Sequence, residues 1–304
     1  MKIFWLKGRA GLGNRLYALV AAATYCRQSG RRLYVDWSDT VGYSRDRENV
    51  FGRCFFLEGI PLAEPLGPEA TSSLSVFPAT WQGRLHLSCH EIRQLGPLET
   101  VHFGDFARSE DVVVGWAFDP EYPVLKTMYG CPRNEAVRRF LLKHLRIEPG
   151  QKAIWDAFAE RHGLGAATAM HVRYSDNLDP RVTRKDRPAP TPEQFLEIAR
   201  TLDTPLFLCT DNSAVRLMFE REFGERVVTY PKWYPEPGQP MHYNPAAGNT
   251  TDDKSNFLEA CADMYLMSRC PRLVRGDSSM SLISHLMAPV QEMIVVEDLR
   301  SKTT

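Results

Sequence analysis

The stretch Thr168-Ala-Met-His-Val-Arg-Tyr-Ser-Asp176 decides how the rest of the chain is read. Thr168 to Val172 is a compact, mostly apolar run entered from Gly163-Leu-Gly165, which predicts a buried strand following a turn. His171, Arg173 and Asp176 then crowd its C-terminal end. In an open α/β sheet, that end is where ligands bind. An arginine there presents a planar fork of donors suited to a phosphate, and a histidine beside it can bond a base, a sugar or a phosphate. From these three residues alone, an internal pairing of His171 and Arg173 with Asp176 stays equally open.

The sequence on either side of this strand is regular. Residues 175–190 are polar and rich in Asp, Arg and Pro, as expected of a loop over a site. Thr191 and Pro192 then suit the N-cap and first position of a helix. Pro205 to Thr210 reads as a strand ending in Asp211-Asn212, Ser213 to Phe223 as a helix, and Arg226 to Thr229 as a short strand. A second polar stretch, 231–250, precedes a helix over Asp252 to Ser268, whose Phe257, Cys261, Met264 and Leu266 are available to a core. Arg272 to Arg275 is a strand, Gly276 to Ser281 a turn, Leu282 to Met287 a helix and Glu292 to Val296 a last strand. This alternation predicts a doubly wound, nucleotide-type domain.

The N-terminal end repeats the pattern once. Lys2 to Leu6 is a strand, Gly8-Arg-Ala-Gly-Leu-Gly-Asn-Arg15 a glycine-rich loop, Leu16 to Ser29 a helix closed by Gly30, and Arg32 to Asp36 a second strand. The loop lacks the third glycine of a dinucleotide fingerprint, since Leu16 stands there, and no Gly-Lys-Ser/Thr follows to make a P-loop. It remains a backbone loop at a helix N-terminus, able to approach an anion or a sugar closely. Residues 40–150 are less regular: Trp81 to Ser88 and Asp111 to Gly115 look like strands, and Asn134 to Leu145 like an amphipathic helix. Trp37, Tyr43, Trp81, Trp116, Phe118 and Tyr122 can line a sugar cleft, although core packing is the commoner fate of such residues. Ile147-Glu-Pro-Gly150 reads as a break, so the expected domains are 1–150 and 151–304.

Bulk properties narrow the function classes. A formal net charge of zero gives no reason to expect nucleic acid as a partner, so any anion site must be local. The seven cysteines show no CxxC spacing and several sit in apolar runs, which predicts buried free thiols and a reducing, cytoplasmic compartment. No run approaches the apolar length of a membrane span, which leaves peripheral attachment to a membrane open.

Four groups fall at C-terminal strand ends or at the starts of the following helices. They are His171/Arg173/Asp176, Asp211/Asn212, Ser278/Ser279/Ser281 and the Gly11–Arg15 loop, comprising Gly11, Gly13, Asn14 and Arg15. Serine hydroxyls and amides at a helix N-terminus suit a phosphate. Asp263 precedes the serine turn and suits either two donors of a guanine edge or a solvated helix face.

These residues resemble a family. Gly11-Leu-Gly-Asn-Arg-Leu16, Gly30-Arg-Arg-Leu-Tyr-Val-Asp-Trp37, His171-Val-Arg-Tyr-Ser-Asp176, Leu208-Cys-Thr-Asp-Asn212 and Asp263 to Cys270 followed by Asp277-Ser-Ser-Met-Ser281 are similar, in order and spacing, to motifs of the GT-B-fold fucosyltransferases. That superfamily includes nodulation-factor, core α1,6-, protein O- and, more loosely, bacterial α1,2-fucosyltransferases. The resemblance implies two Rossmann-like domains with a cleft between them, the first serving the acceptor and the second the donor. It implies inverting transfer of L-fucose from GDP-fucose to an oligosaccharide or glycolipid hydroxyl, without a metal or other cofactor. Arg173 would bind the β-phosphate, His171 and Asp263 the nucleotide, the three serines the phosphates, and Gly13-Asn14 the diphosphate or fucose. Two departures stand out: Tyr174 replaces a second arginine of the motif, and Arg181 stands where some relatives place a glutamate. The base that takes the acceptor proton is therefore sought among Asp176, Asp179, Asp36 and Asp39. A different nucleotide sugar, or a catalytically silent binding protein, are the alternatives.

Overall fold

The structure is a computed structural model. It describes residues 2–38, 46–67, 73–102, 104–116, 131–174, 190–234 and 253–296, with the side chains of 131–133 and 253–255 excluded. The chain divides into two compact units, Met1–Glu148 and Pro149–Thr304.

Unit 1 is built on a parallel sheet of order β2-β1-β5-β4, with β1 Ile3–Lys7, β2 Arg32–Asp36, β4 Val76–Phe77 and β5 Val112–Gly115. Helix α1, Leu12–Ser29, crosses from β1 to β2 and buries residues on nearly every side, the small Ala18, Ala21, Ala22 and Ala23 among them. Gly30 closes it in the left-handed region at φ 70°, as expected of a glycine just past a helix end. The helix starts four residues earlier than the sequence pattern suggests. Gly11 is an extended N-cap at φ −69° and ψ 165°, so Gly13, Asn14 and Arg15 belong to the first turn rather than to an open loop.

The less regular part of unit 1 corrects two expectations. Trp81 to Ser88 is not a strand: Ala79–Trp81 is a single tight turn, and Ser88 instead caps helix α3, Cys89–Leu95. The Ser88 side chain accepts from the Glu91 amide at 3.3 Å, and the Glu91 carboxylate accepts from the Ser88 amide at 2.8 Å. The residues between the tight turn and this capping box are held in turns, the Arg84 amide donating to the Trp81 carbonyl and the Leu87 amide to the Arg84 carbonyl, both at 2.9 Å. Leu145 is also not the end of a helix: helix α4 spans Cys131–His144, and the next three residues form β6, antiparallel to β3, Phe55–Leu57. A short helix α2, Phe51–Cys54, leads into β3. Trp37, Trp81 and Trp116 are all buried, so they serve the core, while Tyr43, Phe118 and Tyr122 lie outside the described residues.

Unit 2 follows the predicted alternation closely. Its five strands are β7 Thr168–Val172, β8 Leu206–Thr210, β9 Val227–Val228, β10 Arg272–Arg275 and β11 Glu292–Val295, all parallel in the order β11-β10-β7-β8-β9. The helices are α5 Pro149–Arg161, α6 Pro192–Arg200, α7 Ser213–Phe223, α8 Asp253–Met267 and α9 Ser279–Met287. Thr191 caps α6 as expected, its amide donating to Gln194 at 2.8 Å. One core packs Met170, Val172, Phe195, Leu206, Leu208 and Phe219. Phe257, Cys261, Met264 and Leu266 of α8 are fully buried too. Chain order reverses between β7 and β10, and such a switch point leaves a crevice beyond the strand ends for ligands. The six cysteines whose side chains are described are buried free thiols. No helix among the described residues is long and apolar enough to cross a membrane.

Candidate functional site

Charged and polar side chains of unit 2 gather at the C-terminal ends of β7 and β10. His171 is in register with Arg275 of β10 on one side and with Cys209 of β8 on the other. The histidine is 6% exposed, and its Nδ1 has no partner among the described residues. Burial, reinforced by the charges of Arg275, Arg173 and Lys232, depresses its pKa to about 3. His171 is thus a neutral hydrogen-bonding group at any physiological pH. Its pKa lies below the unfolded value of about 6.5, so the unfolded chain binds the extra proton between the two. Stability should therefore fall as pH drops from about 6.5 toward 3, and chemical denaturation of a His171→Gln variant should show a shallower decline.

Arg275 escaped the sequence reading because it looks like an ordinary strand end. It is buried, and its Nε donates to Ser281 Oγ at 3.0 Å while Nη2 donates to the Ser278 carbonyl at 2.8 Å. The guanidinium thus pins the turn that opens α9. Of the three nominated serines, Ser281 is fully buried with its hydroxyl engaged by Arg275 and the Ser278 carbonyl, Ser278 is buried, and Ser279 is partly exposed. Ser279 and the first amides of α9 are the ones open to an anion.

Arg173 is half-buried just past β7, and the Tyr174 amide after it donates to Asp211 Oδ1 at 2.8 Å. Asp211 thereby sets the path of the chain where it leaves the strand. Asn212 is buried and spends its carbonyl oxygen on capping α7, accepting from Ala214 and Val215 at 2.9 and 3.1 Å. Asp263 of α8 is also buried. Its Oδ2 is ion-paired with Lys232, its Oδ1 has no partner among the described residues, and its carbonyl receives the Cys209 thiol at 3.9 Å. Burial pushes the Asp263 carboxyl up, with Lys232 pulling the other way; burial opposes the Lys232 charge, yet Asp263 beside it raises the ammonium pKa. Lys232 falls in a stretch that reads as solvated loop, and nothing in its sequence neighbourhood announces this pairing.

In unit 1, Arg15 is buried: its Nε donates to the Ala10 carbonyl at 2.8 Å and its guanidinium faces the Trp37 ring at 5.6 Å. A Cβ at Gly8 would meet the Arg15 Nη1 at 2.5 Å, so this glycine permits a close approach. Gly13 is buried and Asn14 partly exposed on the first turn of α1. Asp36 is buried and fully engaged. It accepts from Lys7 Nζ at 2.6 Å, Trp5 Nε1 at 2.7 Å and the Ser38 amide at 3.1 Å, and the Ser38 hydroxyl adds a fourth donor. Burial opposes its charge, but Lys7 and these donors win and hold the carboxyl below its usual range. That is the state of a structural ion pair and a poor one for accepting a proton. Asp176, Asp179 and Asp39 lie outside the described residues. Among the described residues no group of three or more His, Cys, Asp or Glu side chains is placed to hold a metal ion.

Two α/β units, each built on a parallel sheet and the second carrying cationic and hydroxyl groups at its switch point, have the architecture of the GT-B fold. No family model matches the chain. It is 27% identical over 288 residues to Nodulation protein Z of Azorhizobium caulinodans, covering 88% of this chain and 83% of the relative. Against Nodulation protein Z of Bradyrhizobium diazoefficiens, identity is 24% over 305 residues, covering 92% of this chain and 78% of the relative. The crystal structure of NodZ α-1,6-fucosyltransferase soaked with GDP-fucose shares the fold, with a TM-score of 0.62 at 21% identity over 98% of this chain and 96% of that one. The chain thus shares the GT-B fold of the fucosyltransferase NodZ and is similar in sequence to Nodulation protein Z.

Proposed function

We propose that this protein is a GDP-fucose-dependent fucosyltransferase in which unit 2 binds the donor and unit 1 selects the acceptor, an oligosaccharide or glycolipid hydroxyl. The observation that carries this reading is the polar convergence at the β7/β10 switch point: Arg173, neutral His171 and the α9 turn pinned by Arg275. Similarity to Nodulation protein Z supports the sugar. Departure of GDP builds negative charge on the β-phosphate. Arg173, Ser279 and the first α9 amides are the groups proposed to take up that charge, at a site where preformed donors act most strongly. His171 contributes a neutral hydrogen bond to the donor. The reaction inverts the fucose anomeric centre and needs no metal. The acceptor proton goes to Asp176, Asp179 or Asp39 rather than Asp36, whose lone pairs are engaged.

The test is incubation of the full chain with GDP-fucose and an oligosaccharide panel, following GDP release and the anomeric configuration of the product by NMR. GDP release coupled to an inverted fucoside is the expected result. GDP binding without product across the panel would favour a silent binding protein, for which Tyr174 in place of a second arginine is the supporting departure.

A further inference from the structure

Lys232 and Asp263 are 1% and 6% exposed in their side chains, and together they form a buried ion pair. Salt bridges this deep are seldom retained for stability, because desolvation of both charges offsets their attraction. The pair is also incomplete. Asp263 Oδ1 is buried without a partner among the described residues, and Lys232 donates one hydrogen bond among them, to Asp263. An unsatisfied buried carboxylate oxygen is costly unless a ligand supplies its donor. The pair lies beside the proposed nucleotide site: the Asp263 carbonyl meets Cys209, the register neighbour of His171, and the Lys232 charge acts on His171 itself. The Tyr234 ring stands 5.6 Å from the Lys232 ammonium and 5.4 Å from the Arg216 guanidinium, giving the spot an aromatic wall.

A fixed ammonium donor beside a fixed carboxylate acceptor is complementary to a lactam edge, C=O next to N–H. Guanine presents this edge at C6=O and N1–H. Adenine, held in the same pose by its ribose and diphosphate, presents the opposite pattern: an amino group against the ammonium and a bare ring nitrogen against the carboxylate. We propose that Lys232 is a specificity-determining residue of the donor site, donating to the guanine C6 oxygen while Asp263 Oδ1 accepts from N1–H. This rests on the proposed use of a guanosine diphosphate donor.

The experiment is calorimetric titration of the full chain and of Lys232→Met with GDP, ADP and 6-thio-GDP, in which a weaker acceptor replaces the oxygen and N1–H is kept. Bonds from charged donors predict that the parent binds GDP about ten- to a hundredfold tighter than 6-thio-GDP or ADP. Lys232→Met should lose GDP affinity by a similar factor and no longer distinguish GDP from 6-thio-GDP. A variant that binds GDP like the parent, or keeps the full preference over 6-thio-GDP, overturns the assignment of Lys232. Should Lys232→Met not fold, the parent decides alone, since equal affinity for GDP and 6-thio-GDP overturns it as well. A parent that binds no guanosine diphosphate overturns the donor assignment first and this inference with it.

Discussion

Replacing Arg173 with alanine is expected to lower kcat/KM for fucosyl transfer by about 10²–10³-fold, the usual loss when one preformed donor to a developing anion is removed. The side chain is half-buried just past β7 and is not one of the apolar residues that make the core of unit 2. Thermal unfolding should therefore stay close to that of the parent, which separates lost chemistry from lost structure. Arg173→Lys keeps the charge but not the planar fork, and should recover only part of the loss. Comparing kcat/KM and GDP affinity across the three proteins checks this. Unchanged turnover in Arg173→Ala would move the phosphate contact elsewhere, with the α9 turn as the remaining candidate.

Asp36→Ala is expected to destabilise the protein by about 3–5 kcal/mol, because it leaves the Lys7 ammonium buried without its counter-charge. Lys7 is held by Asp36 and the Leu85 carbonyl, with the Trp5 and Trp81 rings each 5.5 Å away, and has no exit to solvent without disturbing that packing. At roughly 2–4 °C per kcal/mol for a chain of this size, the melting temperature should drop on the order of 10 °C. Replacing both partners, Lys7→Met with Asp36→Leu, should recover much of that loss, since neither charge is then stranded. Asp36 also leaves a pH signature. Its folded pKa lies below the unfolded value of about 3.9, so its stabilisation is present above that pH and is lost as pH falls through the folded value. Thermal melts as a function of pH read both effects. A variant that melts with the parent yet has lost turnover would return Asp36 to the chemistry.

Unit 2 was legible in the sequence because each of its signals is local. Thr191-Pro192 starts a helix at the expected residue, Arg272–Arg275 is a strand within the expected bounds, and Gly30 in unit 1 ends α1 in the left-handed conformation that glycine tolerates. The misreadings arose where two local signals competed. Ser88 and Glu91 satisfy each other's backbone amides, and that reciprocal cap starts a helix at the residue where alternating Leu85 and Leu87 suggest a strand should end. Leu145 continues a helical apolar stripe, yet it pairs with Leu57, about ninety residues away in a register no local pattern encodes. The site divides along the same line. His171, Arg173 and Asp263 stand out from motif order, whereas Arg275 shows its hold on the nearby serine turn only through burial, and Lys232 meets its partner Asp263 only in the fold. A lysine among prolines and aromatics reads as surface until the fold places it against a carboxylate.

The central claim, that unit 2 holds a guanosine diphosphate sugar without help from a metal, is tested most directly by calorimetric titration of the full chain with GDP, UDP and dTDP, each with and without a chelator. Selective GDP binding, with the same affinity in both conditions, is the expected result. Binding of UDP or dTDP in preference to GDP, or GDP binding that disappears with the chelator, would contradict it and leave the cluster of Arg173, Arg275 and Lys232 in need of another anion.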